Sequence, residues 1–468
     1  MRIGIQQISF AELEFQTQGI RLDDTMEAIS VFLDRQKDII EMIRHDIETG
    51  IKNTNTGRNG MNPDQILRSY VLMRIKNWDY RELRERIADG YTLRIFTRFW
   101  SGPVPKHDAF NRAFNKIRPS TLKAINEAIV KEAVRRGLEN GAKLRVDTTV
   151  VETDIHYPTD STLLWDCIRV ISRWVDRIEN ELSIDLDFPD RTRRAKRRTQ
   201  EISRMTPKAR KRWQRRKYRE LIGLAEEVVQ KARAAAVKAG GVALPDAFQS
   251  LIVEQMIREI ERLCHLADRV IDQSRRRVLQ GEQVPPHEKL YSIFETHTDL
   301  IVRGKANKPI EFGHKVFLAE SGIGLITQYS VLDGNPPDQA QVAPSLEGHK
   351  RTFKVSLDLY AGDRGFYSQE NLDLCSIEGV KIECIPQRGG RRDPERVQYE
   401  KSKSFKRGQR FRSGIEGRIS VLFRGRGMKR CLMQGKDRFE AYVGASVLAN
   451  NLLVMGSLLS KKSSRVRS

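Results

Sequence analysis

Asp147, Asp363 and Glu416 are the residues of this chain whose types and placement best suit chemistry. Asp147 lies inside the strand-like run Leu144-Arg-Val-Asp-Thr-Thr-Val-Val, and Asp363 follows the strand-like Ser356-Leu-Asp-Leu-Tyr-Ala. Glu416 belongs to the helix-like Phe411-Arg-Ser-Gly-Ile-Glu-Gly-Arg-Ile. Three carboxylates gathered in one place repel one another and raise one another's pKa unless a cation neutralises them. Oxygen-only donors suit Mg²⁺, with Mn²⁺ as the alternative. Two such ions about 4 Å apart can activate the attacking oxygen and stabilise the leaving oxygen of a phosphodiester exchange. Taken singly, each acid is commonplace: an Asp in or after a strand needs no explanation, and Glu416 alone reads as a surface charge. The expectation of a metal-binding catalytic set therefore depends on elements that make the three converge.

Those elements can be read in the strand-rich parts of the chain. Residues 144–151 have strand character, and residues 315–320 and 324–332 form a hairpin around the turn-forming Ser321-Gly322. A helix fits 338–349, a strand 355–360, a helix 368–375 and a strand 380–385, with helices over 414–423 and 441–459. Strand, strand, strand, helix, strand, helix, strand, helix is the order of a ribonuclease H-like fold. There the first and fourth strands are neighbours, so Asp147 meets Asp363, and a last helix across that edge presents Glu416. The expected fold class is an α/β ribonuclease H-like catalytic domain, a mixed sheet flanked by helices. It carries an all-helical insertion after strand one and follows an all-helical N-terminal DNA-binding domain.

The expected division is a helical segment at 1–60, a helical DNA-binding domain at 61–140, the first part of the catalytic domain at 141–164, a basic all-helical insertion at 165–286, the remainder of the catalytic domain at 287–460 and a basic tail at 461–468. Apolar residues from Met26 to Ile43 recur at helical spacing in the first segment and read as one amphipathic helix. In the second, Asn62-Pro63-Asp64 resembles a cap with proline at the first helical position. Lys76, Arg81, Arg84, Arg94, Arg98, Lys106 and Arg112 suit either a helix-turn-helix-like DNA reader or a helical bundle with a solvated basic face.

Charge points to the partner. The chain has 468 residues, with 83 Lys plus Arg against 61 Asp plus Glu and a net charge of +22. That balance implies a polyanion, most simply double-stranded DNA. The excess is densest at 191–217, where Glu201 is the lone acid among the basic residues. Arg193, Arg194, Lys196, Arg197, Arg198, Lys211, Arg212, Arg215 and Arg216 are accordingly candidate contacts to the DNA backbone. Trp213 within that run is either a packing anchor or a platform for an unpaired base. Cys167, Cys264, Cys375, Cys384 and Cys431 are scattered without a Cys-x-x-Cys pair, so neither a zinc site nor a disulfide framework is expected. The start lacks the features of a signal peptide. The apolar stretch 441–459, interrupted by Asn450-Asn451, reads as a buried terminal helix rather than a membrane span. A cytoplasmic, nucleoid-associated protein is expected.

Around the three acids the chain resembles the DDE-class transposases of bacterial insertion sequences. The run from Leu144 to Leu164, the segment Gly362-Asp-Arg-Gly-Phe and Arg412-Ser-Gly-Ile-Glu look like their first, second and third acidic motifs. The ISNCY group and its neighbours are most alike, with similarity extending over 64–117 and Gly444-Ala-Ser-Val-Leu-Ala-Asn-Asn-Leu. The resemblance implies that Asp147, Asp363 and Glu416 bind two catalytic Mg²⁺ ions. It implies an enzyme that binds terminal inverted repeats and moves its own element by hydrolysis followed by strand transfer. A homo-oligomer is then expected, because two element ends must be cut together. Better-known members of the class carry their insertion before the last helix and often a Tyr where Gln409 stands, so roles of that insertion do not transfer.

Neighbouring residues leave alternatives open. His314 and Lys315 open the second strand and suit either the scissile phosphate or strand-edge packing. Arg364 and Arg412 suit either a phosphate clamp or neutralisation of the acids. Alternation places Glu152 on the strand face opposite Asp147, and Asp154 and Asp160 read as turn or cap residues. The region 388–430 is basic, with Gly389-Gly390 suggesting a loop that grips DNA. The rival functions are a nuclease of the same fold that cuts without joining, and a domesticated protein that only binds DNA.

Overall fold

The computed structural model describes residues 21–53, 60–244, 246–302, 309–390 and 393–467, with side chains to Lys462. Parts of the expected segment 1–60, residues 391–392 and most side chains of the expected tail 461–468 therefore lie outside the described residues. Two compact units result, one from the described residues up to Glu152 together with His314 onward, the other from Thr153 to Gly313.

The first unit begins with helices α1 (Asp24–Asp34), α2 (Lys37–Glu48), α3 (Pro63–Lys76), α4 (Tyr80–Asp89), α5 (Tyr91–Thr97), α6 (His107–Phe114) and α7 (Pro119–Arg135). The amphipathic stretch read as one helix is two, because Gln36 leaves helical backbone at φ −102° and ψ 65°. The break lets α1 pack on the carboxyl-terminal helix while α2 packs on α3. Asn62 and Gln65 form a reciprocal capping box around Pro63 at the start of α3. These helices share a core with the carboxyl-terminal helix of the chain, in which Phe32, Leu67, Phe96 and Leu122 meet Leu448 and Leu452. The helices expected to stand apart as a DNA-binding domain are thus built into the same unit as the sheet.

The sheet of this unit contains β1 (Lys143–Thr153), β3 (Ile310–Ser321), β4 (Ile326–Val331), β5 (Leu359–Ala361), β6 (Ile382–Cys384) and β7 (Arg430–Cys431). Strand β2 (Asp299–Val302) pairs with the first residues of β3, within the second unit. Across the first unit the order is β4-β3-β1-β5-β6, and β7 pairs with β1. Strands β3 and β4 are antiparallel, whereas β1, β5 and β6 run parallel. The first and fourth strands of the sequence reading are paired at Lys143↔Leu359 through Arg145↔Ala361, which sets Asp147 and Asp363 at the same end of adjacent strands. Helices α12 (Val342–Phe353), α13 (Gln369–Ile377), α14 (Pro394–Lys401), α15 (Lys403–Gly425) and α16 (Lys436–Arg467) complete the unit. The helix expected over 414–423 is the second half of the longer α15.

Helix α16 has the length and apolarity of a membrane span, yet most of its apolar stretch is buried in this unit. Its polar interruption has a structural use. Asn451 accepts from the backbone of Ile326 at 2.9 Å and donates to the Ile326 carbonyl at 2.8 Å and to Asn126 at 2.7 Å. Together with Asn126, whose amide also donates to the Ile326 carbonyl at 3.1 Å, it satisfies the buried start of β4.

The second unit holds α8 (Asp160–Leu182), α9 (Thr192–Ser203), α10 (Pro207–Gly240) and α11 (Ala247–Ser274), around a core that includes Ile168, Val175, Leu221, Val228, Leu263 and Val270. Helix α11 runs on into a π-helical turn, Arg275–Gln280, and ends at Gly281 in the left-handed region.

Candidate active site

The three acids come from a strand, a loop and a helix, and one side chain touches them all. Arg412 on α15 lies 3.1 Å from Asp147, 3.0 Å from Glu416 and 3.9 Å from Asp363. Glu416 is one helical turn beyond Arg412, so their pairing is local. Asp147 and Asp363 are reached only because α15 crosses the parallel pair β1–β5.

Each acid sits in a different environment. Asp147 is buried, and its carboxylate also accepts from the Thr148 backbone at 2.8 Å. Burial pushes its pKa up to about 6; Arg412 pulls it down, while Asp363 and Asp338 raise it further. Asp363 is partly exposed and accepts from the Gly365 backbone at 2.7 Å, capping the short 3-10 turn Arg364–Phe366. Glu416 is 65 % exposed and is the most accessible of the three.

A buried charge network docks the helix that carries Arg412 and Glu416. Glu320 at the end of β3 is fully buried and binds Arg145 of β1 at 2.8 Å and Arg418 of α15 at 2.8 Å. Arg145 also donates to the Phe411 carbonyl at 2.8 Å, and Arg418 donates to Asn450 at 3.1 Å. Arg145 is two positions before Asp147 on β1, and Arg418 is two positions after Glu416 on α15. The network therefore holds strand and helix in the register that brings the acids to Arg412. Gly414 permits the approach, since a Cβ there would collide with the Arg145 guanidinium.

Sequence reasoning did not find Glu320, Arg145 or Arg418. A charged residue inside the apolar run of β3 was the available signal for Glu320. It also missed Asp338, which accepts from the Thr148 hydroxyl at 2.8 Å and pairs with Lys315 at 2.7 Å. Asp338 lies against the same loop as Asp363, where a Cβ on Gly365 would meet both carboxylates. A fourth acid thus stands beside the three.

Several expected nucleic-acid contacts are placed elsewhere. His314 is buried edge-on against Phe439 at 4.9 Å, because it faces the core side of β3, so it is a packing residue rather than a phosphate contact. Lys315 is also drawn inward, to Asp338 and the Pro336 carbonyl. Arg412 is drawn to the acids and partly offsets their charge. Arg364 is exposed and, among the described residues, has no carboxylate partner. Glu152 faces away from Asp147 and pairs with Arg430 at 2.9 Å. In the first helices, Arg94 donates to the Trp100 and Gly102 carbonyls at 2.6 Å and Arg98 binds Asp34 at 2.7 Å, so both are structural. Lys76, Arg81, Arg84 and Arg112 remain exposed.

In the second unit, Arg198 pairs with Glu201 one turn along α9 at 2.8 Å and reaches Glu220 of α10 at 2.6 Å, so it is a structural cation rather than a free backbone contact. Arg216 reaches Glu220 more loosely, at 3.4 Å. Arg193, Arg194, Lys196, Arg197, Lys211, Arg212 and Arg215 are exposed. Trp213 is partly exposed, with the guanidinium groups of Arg212 and Arg216 at 4.9 and 5.7 Å from its ring centre, and is not a core anchor.

The donor set suits a hard divalent cation in chemistry: oxygen ligands only, already gathered around one positive charge, with Asp147 still short of compensation. Its present spacing is that of a guanidinium complex, and among the described residues no group of three or more acidic, His or Cys side chains is spaced to hold a metal ion. Bringing the carboxylates onto an ion requires Arg412 to withdraw. No curated protein and no solved structure matches the chain. Residues 17–116, which include its first helices, match the family model described as Transposase domain (DUF772), and that match supports a transposase family for this chain.

Proposed function

We propose that this protein is a DDE-class transposase of a bacterial insertion sequence, with a ribonuclease H-like catalytic domain in its first unit. The observation that carries the proposal is the meeting of Asp147, Asp363 and Glu416, from three separate elements, on one cation. The strand order β4-β3-β1-β5-β6 supports the fold assignment, and the family match over 17–116 supports the transposase class.

In this reading Asp147, Asp363 and Glu416 would hold Mg²⁺ or Mn²⁺. When bound, the ions supply activation of the attacking oxygen and stabilisation of the leaving oxygen on a phosphodiester. The chain's own residues do the rest. Arg412 partly offsets the charge of the acids before DNA arrives and, released from them, is a donor for a phosphate oxygen. Exposed Arg364 stands beside Asp363 for the same purpose. Glu320, Arg145 and Arg418 keep α15 in register with β1. The amino-terminal helices bind the terminal inverted repeats, and a homo-oligomer pairs two ends. Water frees a 3′-hydroxyl, which then attacks target DNA by in-line displacement.

The test uses the full chain, DNA carrying the element ends, a target plasmid and Mg²⁺. Cleavage followed by a joined product is expected. Asp147→Asn, Asp363→Asn and Glu416→Gln should each abolish cleavage while leaving end binding within about twofold. Cleavage that never yields joined product would favour a nuclease of this fold. Retained cleavage in Asp147→Asn would sink the assignment of the acids.

A further inference from the structure

Within the second unit a cavity of about 980 Å³ opens between the residues leading into α8, the start of α10 and the turn that ends α11. It sits at the upper end of the range for small-molecule sites, about 300–1,000 Å³, but its lining is charged rather than apolar. Lys211, Gln214, Arg215 and Tyr218 recur at helical spacing, so one face of α10 forms a wall. Arg210 flanks that wall, and Lys289 stands among the residues lining the cavity beyond the π-helical turn.

The acids of this cavity are already engaged. Asp160 is buried and held by Arg277 at 2.8 Å and by Gln273 at 3.3 Å. Glu282 is paired with Arg276. Arg210, Lys211 and Arg215 are exposed and, among the described residues, have no carboxylate partner. Burial, and to a lesser degree the neighbouring Arg277, lower the pKa of Lys289, while Asp160 raises it. A concave surface carrying this excess is complementary to a polyanion small enough to enter.

One lining residue narrows the ligand further. Tyr157 is 71 % exposed and is braced by an edge contact with Phe312 at 5.5 Å, which leaves ring surface open. Lys211 and Arg215 are one helical turn apart, about 6 Å along the axis. An aromatic ring beside a track of cations binds unpaired bases and their backbone together, whereas a duplex keeps its base faces stacked inside.

We propose that this cavity binds a short single-stranded segment of DNA, with a base stacked on Tyr157 and phosphates on Arg210, Lys211, Arg215 and Lys289. The proposal rests on the reading that the chain processes DNA, since cleaved or opened ends supply such a strand. It adds a binding site distinct from the three acids.

The experiment is fluorescence anisotropy on the full chain with a labelled oligo-dT strand, a matched duplex, an oligo-rU strand and polyglutamate. Tyr157→Ala should weaken dT binding about tenfold, the scale of one lost base stack, with duplex affinity unchanged. Lys211→Gln with Arg215→Gln should weaken dT binding and lower its salt slope by about 1.4, at roughly 0.7 per phosphate contact. Lys238→Gln, exposed in the second unit and outside the cavity, should leave dT binding unchanged. Unaltered thermal midpoints check that the variants fold. Equal dT affinity in Tyr157→Ala and the parent, equal loss of duplex binding, or tighter binding of rU or polyglutamate than of dT would each overturn the proposal. If element ends are cut and joined while dT binding ignores Tyr157, this inference fails alone. If dT binding behaves as expected but no DNA is cut, the transposase reading fails and the strand site remains.

Discussion

The two units treat positive charge in opposite ways. In the first, three arginines near the acids are bound internally: Arg412 to three carboxylates, Arg145 and Arg418 to buried Glu320. In the second, Arg198 is tied into the structure, but Arg193, Arg197, Lys211 and Arg215 project into solvent without carboxylate partners among the described residues. A cation bound inside the protein sets geometry, because moving it exposes a desolvated partner. A cation without a partner is available for an outside anion. The first arrangement suits a site that must hold its shape, and the second suits a surface that must grip.

Substitutions in the two units should therefore differ in both size and kind. The largest stability effect is expected from Glu320→Gln, which leaves Arg145 and Arg418 uncompensated. A loss of about 3–5 kcal/mol in urea unfolding is expected. A loss no larger than that of a surface change would break the comparison.

Asp147→Asn should act in the other direction. The folded pKa of about 6 lies above the unfolded value of 3.8, so the native state binds the proton more tightly. Stability then falls as pH rises from about 4 to 6, and the Asn variant avoids that loss. A gain on the order of 1–3 kcal/mol above pH 6, vanishing below about pH 4, is expected from unfolding curves across pH. A pH-independent difference would show that Asp147 is not held under electrostatic strain.

Within the second unit, Arg198→Gln should cost about 1–2 kcal/mol, as loss of its charged hydrogen bonds to Glu201 and of its ion pair with Glu220 across α9 and α10. The smallest change is expected from Arg193→Gln with Arg197→Gln. Stability should move by no more than about 0.5 kcal/mol, while the salt slope of duplex binding falls by about 1 per residue. If Arg198→Gln matched this pair in both assays, the division into structural and free cations would be wrong.

A final pH effect tests the core of the first unit. His349 is buried on Phe353, and burial lowers its pKa to about 4. Its stabilisation is complete above the unfolded value near 6.5 and is lost as pH falls toward 4. His349→Gln should flatten that acid limb without changing the response of the Asp147 region.

Much of the site could be read from local pattern. The strand around Asp147, the strand before Asp363 and the helix around Glu416 each have their own periodicity, and the adjacency of β1 and β5 was implied by element order, their parallel direction coming from the structure. The helical insertion was legible from apolar spacing and charge. Other features were not local. His314 and Lys315 looked like a DNA-facing pair, but a strand residue's direction depends on what covers each face of the sheet. Arg193 and Arg198 belong to the same basic run, yet only the fold places Glu220 beside one of them. The amino-terminal helices looked separable because their contact with α16 joins segments more than three hundred residues apart along the chain.

By itself, then, the sequence determined the elements, the excess of positive charge and which acids were available, because propensity, periodicity and composition act over a few residues. Only the tertiary structure decided which charges cancel. Pairing of Arg412 with Asp147 and Asp363, and of Glu320 with two arginines, depends on strand register and helix crossing, and electrostatic energy falls with distance in space rather than along the chain.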